Sequence, residues 1–319
     1  MTGQDGSYMA NLLLHHGWTV VGTTRDRFSA DLSRLDSLLI TDRVKLLSLS
    51  LGDLGSVIRT IDTVKPDWII NLAGLTSVAL SYQNPCESYS SIYEATLNIL
   101  EAIRLTAPSI RFFNAGSTEC FGNQSSGIAA TEETAFRPAS PYAIAKSASC
   151  WLVASYRSNY GLYCCTGITS NHESPLRGSS FVTQKIISQI RSINNGTSDQ
   201  LTLHHLDVYR DWGWAPEYVK AIYHMLSAEV PDDYIIATGT TSSLRQFVSA
   251  AFKAAGLMED HYKIQTTGSK RPSDINYSLL NPSKIRKSLN WISTKSIEQI
   301  ACSMLYRNYL LAGDLDLGY

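Results

Sequence analysis

Strand-like and helix-like segments alternate over the first two-thirds of the sequence, and the strand-like ones are apolar almost throughout. "WTVVGTT", "RVKLLSLSL", "DWIINLAG", "IRFFNAGS" and "LYCCTGITSN" are spaced by helical runs such as "GSVIRTIDTV", "SSIYEATLNILEAIRLT" and "SPYAIAKSASCWLVASYRSNYG". Strands with no polar face must be covered on both sides, which calls for a parallel sheet with helices above and below. The expected class is α/β, a Rossmann-like doubly wound parallel sheet, with ligands at the carboxyl ends of its strands. After residue 168 the rhythm breaks into short loops, Gly and Ser clusters and isolated helices, the pattern of a smaller α/β lobe closing over the sheet.

Composition narrows the function. A net charge of −1 leaves no basic excess for nucleic acid or an anionic membrane surface. No apolar run approaches the roughly 20 residues that cross a bilayer, and no signal peptide precedes the first motif. The six cysteines form no C-x-x-C and have no histidine partners at metal spacing. Most of them read as small buried apolar residues of a reducing compartment, the cytoplasm. His15 and His16 end the first helix, where imidazoles suit the helix dipole, and His204 and His205 sit in a strand-like run. Neither pair has a third ligand, so no metal is expected. Trp212 and Trp214 read as packing residues.

The chain opens "MTGQDGSYMANLLL". Gly3, Gln4, Asp5 and Gly6 form the turn where a dinucleotide-binding strand hands over to its helix, with the pyrophosphate resting on the helix N-terminus. A simple turn and helix cap would read the same way, because only two of the three usual glycines are present. Later strand ends strengthen the cofactor reading. After "WTVVGTT", the position that would carry an acid for the ribose hydroxyls falls at Thr24, followed by Arg25 and, close by, Arg27. A 2′-phosphate, hence NADP, fits better than NAD, although a shift of two residues to Asp26 would reverse that choice. Asp53 and Leu54 in "LGDL", and Leu72 and Ala73 in "INLAG", fall where adenine and nicotinamide-ribose contacts are made.

No strand stands in front of that opening turn. It would be central, with about four or five buried aliphatic side chains worth roughly 1.5–3 kcal/mol each, against a whole-domain stability of about 5–15 kcal/mol. The natural chain, or a homologous one, is therefore expected to start several residues earlier; otherwise this version binds cofactor poorly.

"SPYAIAK" places Tyr142 and Lys146 one turn apart on one helix face. "GSTE", with Ser117 and Glu119, ends the strand before it and reaches the same pocket. Helix packing for Tyr142 and capping for Glu119 are the plain alternatives. A tyrosine has a free pKa near 10, so a nearby ammonium and a cationic nicotinamide are expected to bring its phenolate toward working range. Lys146 can also hold the nicotinamide ribose, and the Ser117 hydroxyl can bond the substrate oxygen that becomes a carbonyl. The carboxylate of Glu119 is superfluous for simple hydride transfer. It is needed if a proton must leave the carbon beside the new ketone.

With these residues in view, the sequence resembles the extended short-chain dehydrogenase/reductases and, among them, the GDP-mannose 4,6-dehydratase family. The similarity runs over nearly the whole chain through "TGQDGSY", "GSTECFG", "SPYAIAK", "NHESPLRGSSFVTQKI", "YRDWGWAPEYV", "IATG", "RQFV" and "RPSD". It implies a redox-neutral cycle on tightly held NADP. Tyr142 deprotonates the sugar O4 while the C4 hydride passes to the cofactor, Glu119 takes the C5 proton and helps water leave from C6, and the hydride returns to C6. It further implies cofactor contacts at His172 and Arg177, and nucleotide contacts at Asn171, Val182, Lys185, Arg210, Arg271 and Asp274. The guanidinium groups among these suit a diphosphate. Residues 1–168, with about 209–228 and 275–290, would form the NADP-binding domain. About 169–208, 229–274 and 291–319 would form the nucleotide-sugar lobe.

The chain also departs from the family pattern. Ser117 replaces the usual threonine and keeps the hydroxyl. Asp26 and Leu176 each replace one of two adjacent arginines that help build a tetramer around the cofactor phosphate. A homodimer through two helices per subunit is expected, with the homotetramer left open. Asp274 replaces a glutamate, which leaves a related GDP-hexose or GDP-heptose open as substrate. A GDP-sugar 4-reductase or epimerase would keep Tyr142 and Lys146 without needing Glu119 as a base. A noncatalytic NADP-binding protein is the third possibility.

Overall fold

The computed structural model describes residues 1–124, 127–203, 206–266 and 275–307. The first half runs α1 (Gln4–His15), β1 (Val21–Thr24), α2 (Ser33–Ser37), β2 (Lys45–Ser48), α3 (Leu54–Val64), β3 (Trp68–Asn71), α4 (Val78–Gln83), α5 (Pro85–Tyr89), α6 (Ala95–Thr106), β4 (Arg111–Ala115), α7 (Pro141–Tyr160) and β5 (Cys164–Thr169). Then come β6 (Asn171–Glu173), α8 (Val182–Asn194), β7 (Gln200–Leu203), β8 (Tyr209–Trp214), α9 (Ala215–Ser227), β9 (Tyr234–Ile236), β10 (Thr241–Ser243), α10 (Leu244–Ala254), β11 (Lys263–Thr266), α11 (Ser283–Leu289) and α12 (Ile297–Leu305). The run read as a single helix from Ser90 begins with a wider π-type turn, Ser90–Glu94, before α6.

The central sheet is parallel in the order β3-β4-β5-β9, and β1 and β2 form a separate parallel pair. Alternation along β4 and β5 explains the apolar runs. Phe113 and Cys165 face a core shared with α1 and α9, while Phe112 and Cys164 face one shared with α3, α6 and α7. All four are fully buried, so period-two geometry sends successive apolar side chains to opposite, equally covered faces. A third core joins α8, α10 and α12 around Trp212 and Trp214, which are packing residues as expected. The cysteines divide: Cys120, Cys150, Cys164 and Cys165 are buried, whereas Cys86 is exposed and Cys302 half-buried.

Between β1 and β3 the sheet is interrupted by a groove of about 380 Å³, floored by residues such as Met9, Leu13, Val57 and Ile99. Met1 stands at its upper end, and its amino group donates to the Thr23 carbonyl at 2.8 Å. No helix among the described residues is long and apolar enough to cross a membrane.

Close packing at the strand ends near the site is tested by Gly167 in β5. A methyl there would meet the Phe113 ring and Ile236 Cδ1 at 2.8 Å. Gly167→Ala is expected to destabilise by about 1–3 kcal/mol in urea unfolding. An unchanged midpoint would show slack between these strands.

Candidate active site

Helix α7 is bounded at both ends by its sequence. Ser140 caps it by accepting from the Ala143 amide at 3.1 Å, Pro141 opens its first turn, and Gly161 ends it in the left-handed conformation at φ 65°. Its inward face carries Tyr142 and Lys146, both buried. β4 ends at Ala115, and the next turn delivers Ser117, whose hydroxyl accepts from the Glu119 amide at 3.3 Å. Glu119 is half-buried. The structure brings the four predicted residues together: the Ser117 hydroxyl lowers, and the Glu119 charge raises, the pKa of the Tyr142 phenol.

Burial dominates the electrostatics of this pair. Burial raises the Tyr142 phenol well above its ordinary value; Ser117 lowers it, Cys120 and Glu119 raise it further, and Arg177 lowers it. Lys146 does not rescue the phenolate here. Its ammonium lies 5.9 Å from the Tyr142 ring centroid and donates to the Ala115 carbonyl at 2.6 Å. Burial lowers its own pKa. Both charged forms are disfavoured for one reason, removal from water.

At the other predicted half, Gly3 precedes α1 and a side chain there would face open space, whereas a Cβ on Gly6 would lie 2.2 Å from the Met1 carbonyl oxygen. Gly6 is thus required by close approach. The Gln4 side chain is already engaged: its amide donates to the His172 carbonyl at 3.0 Å and accepts from the Ser174 hydroxyl at 2.7 Å. Asp5 Oδ2 lies 3.0 Å from His172 Nε2. Burial pushes the Asp5 carboxyl up, but the His172 charge and hydrogen bond outweigh it and hold the group down at about 2. Arg34, not anticipated from the sequence, supports the same turn by donating to the carbonyls of Leu176 and Thr2.

Arg25 lies exposed at the end of β1, 3.3 Å from Glu87. Asp26 is turned into its own loop, accepting from the Phe28 amide at 3.0 Å and the Ser29 hydroxyl at 2.7 Å. Asp53 caps α3 through the Gly55 amide, with Leu54 beginning that helix, and Leu72 and Ala73 follow β3. On the lobe side, Asn171 and His172 sit on β6, which pairs with β8 carrying Arg210. Arg177 approaches Glu173 at 3.2 Å and stacks over the Phe181 ring at 3.7 Å. Val182 and Lys185 occupy the exposed start of α8. Arg271, Asp274, His204 and His205 lie outside the described residues.

A model of the GDP-mannose 4,6 dehydratase family matches residues 1–304. The chain belongs to that family. A GDP-mannose 4,6 dehydratase of Arabidopsis thaliana is 36% identical over 98% of this chain and 89% of its own length. A GDP-mannose 4,6-dehydratase of Vibrio cholerae is 34% identical over 98% and 93%. Solved structures share the fold. The UDP-glucose 4-epimerase of Thermus thermophilus, in complex with NAD, superposes with a TM-score of 0.84 at 21% identity, covering 97% of both chains. A dTDP-glucose 4,6-dehydratase of Streptomyces venezuelae with NAD bound gives 0.84 at 18% identity over 96% and 95%. Ser174, whose hydroxyl donates to Gln4, was not signalled by spacing in the sequence.

A buried ammonium held by one carbonyl is a net burden on the fold. Lys146→Met, which keeps the stem and removes the charge, is expected to leave stability within about 1 kcal/mol of the parent or raise it. A loss above about 3 kcal/mol in thermal unfolding would instead make the bond to Ala115 a structural support.

Proposed function

We propose that this protein dehydrates GDP-mannose, or a close GDP-hexose or GDP-heptose, to the 4-keto-6-deoxy sugar nucleotide, with NADP as its resident cofactor. The observation that carries this reading is the acid beside the phenol: Ser117 and Glu119 share the turn after β4, and both act on Tyr142 of α7. Whole-chain membership of the GDP-mannose 4,6-dehydratase family supports the substrate.

The chain's own residues fit the cofactor. Gly6 lets the backbone turn tightly and Gly3 faces open space, at a helix N-terminus suited to a diphosphate. With the Asp26 carboxylate engaged by its own loop, Arg25 and Arg27 favour a 2′-phosphate over ribose hydroxyls. Bound NADP would supply a reversible acceptor for one electron pair, so the overall change is loss of one water with no external oxidant. Ser117 orients the sugar O4, and Tyr142 takes its proton and returns it to C5 once C6 has been reduced. Glu119 takes the proton from C5 and returns one to the departing C6 oxygen. Burial keeps the Tyr142 phenol protonated, so it acts as a base only when positive charge shares its pocket.

Asn171, Val182, Lys185 and Arg210 belong to the nucleotide side in this reading, with Arg271 and Asp274. Residues 1–168, about 209–228 and about 275–290, with β9 completing the central sheet, form the cofactor-binding domain, and the remainder the sugar-nucleotide lobe. Leu105 of α6 and Ile144, Trp151 and Tyr160 of α7 are exposed, which supports a homodimer through these helices, with a homotetramer as the higher assembly. Free cysteines throughout suit the cytoplasm.

Incubation with GDP-mannose, alone and with added NADP, is expected to yield a product lighter by one water. Tyr142→Phe should lower turnover by about 10²–10⁴-fold while nucleotide binding persists. Glu119→Gln should stall after oxidation at C4. A product that retains its water would exclude the dehydratase reading and favour a reductase or epimerase.

A further inference from the structure

The contact between Asp5 and His172 joins residues 167 positions apart and ties the first turn of α1 to β6. Both ring nitrogens of His172 face acceptors. Nδ1 lies 2.7 Å from the Ser170 carbonyl oxygen, which cannot donate, and Nε2 lies 3.0 Å from Asp5 Oδ2. Asp5 also accepts from the Gln4 amide at 3.0 Å on its other oxygen, the pattern of an ionised carboxylate. A neutral imidazole has one donor and cannot satisfy both contacts.

We propose that His172 is a positioning residue that works as an imidazolium, clamping the first turn of α1 through Asp5 and keeping that turn free of net negative charge. This rests on the reading that a dinucleotide diphosphate lies at the N-terminus of α1. A lone carboxylate in that turn would repel the diphosphate, whereas the ion pair is neutral.

The groups around the ring agree. Arg177, on the segment after β6, opposes the charge, and Tyr218 of α9 stacks on the ring at 4.7 Å. Glu173, next on β6, is engaged by Thr183 and Arg177, and Asp211 of β8 reaches the ring only through Ser170. Burial lowers the His172 pKa, but Asp5 outweighs it and the net shift is upward. A raised folded pKa means the clamp is complete below the ordinary histidine value and is lost as pH rises through the raised one. The lowered pKa of Asp5 means its share is lost only as pH falls toward about 2. The Met1 amino group, lowered by burial, is common to parent and variant, so the difference between their slopes does not depend on it.

Asp5→Asn separates charge from shape, since its amide can donate to an unprotonated Nε2. Two measurements test the proposal: long-range ¹H–¹⁵N spectra of histidine-labelled protein, with His172 assigned through His172→Gln, and NADPH binding by fluorescence from pH 6 to 9. His172 is expected to be doubly protonated at pH 7 in the parent and neutral in Asp5→Asn. NADPH affinity should fall with pH in the parent, by up to about tenfold per unit, and stay flatter in Asp5→Asn. A neutral His172 in the parent at pH 6 overturns the proposal. An imidazolium with the same affinity slope in both proteins overturns the positioning role. An imidazolium with no NADPH binding at any pH overturns the cofactor reading, and with it the cofactor half of the clamp, while leaving the ion pair standing.

Discussion

The bond from the Lys146 ammonium to the Ala115 carbonyl, 2.6 Å long, joins α7 to the last residue of the central strand β4. The contact marks how closely α7 lies against the end of β4, where Tyr142, one turn earlier, comes beside the turn that carries Ser117. The helix is secured farther along as well. Arg157 donates to the Cys164 carbonyl and forks onto Asp233 at 3.0 and 2.6 Å, while Asp233 also accepts from the Thr166 amide. Helix α7 is thus referenced to β5 and β9 as well as β4. A paired, partly buried guanidinium fork is among the more directional contacts available to a fold.

A second consequence follows from depth. Tyr142 and Lys146 are each pushed toward their neutral forms by burial, so the pocket has little charge of its own to trade and responds strongly to charge brought in. Asp211 shows the same environment held by other means. It is buried and its carboxyl is raised, yet it accepts from Ser170, Thr238 and Gly239, which lets a charge-capable group sit beneath the β6 segment without an ion-pair partner at contact.

Much of this was legible in the residues. The apolar runs of β4 and β5 could be read because each is covered on both faces, and "GSTE" could be placed at a strand end because it follows such a run. The run from Trp18 overstated β1, which is only Val21–Thr24, since apolar character says little about where pairing begins. The depth at which Tyr142 and Lys146 lie was not legible, because local spacing carries no measure of how far water is excluded. Likewise Asp5 and His172 each have a sufficient local explanation, a turn residue and a pocket loop. Only the folded chain reveals that they answer one another.

The groove between β1 and β3 has a mechanical meaning. Among the described strands, β1 hydrogen-bonds only to β2, and β3 only to β4, so the β1–β2 pair is joined to the rest through side chains such as Trp18 on Trp68 at 4.3 Å and not through a shared ladder. Cooperativity passes efficiently along hydrogen-bonded strands and less so across such contacts. A pair joined in this way is expected to open below the global unfolding free energy, and the Met1 amino group, bonded to the Thr23 carbonyl, covers only part of its outer edge.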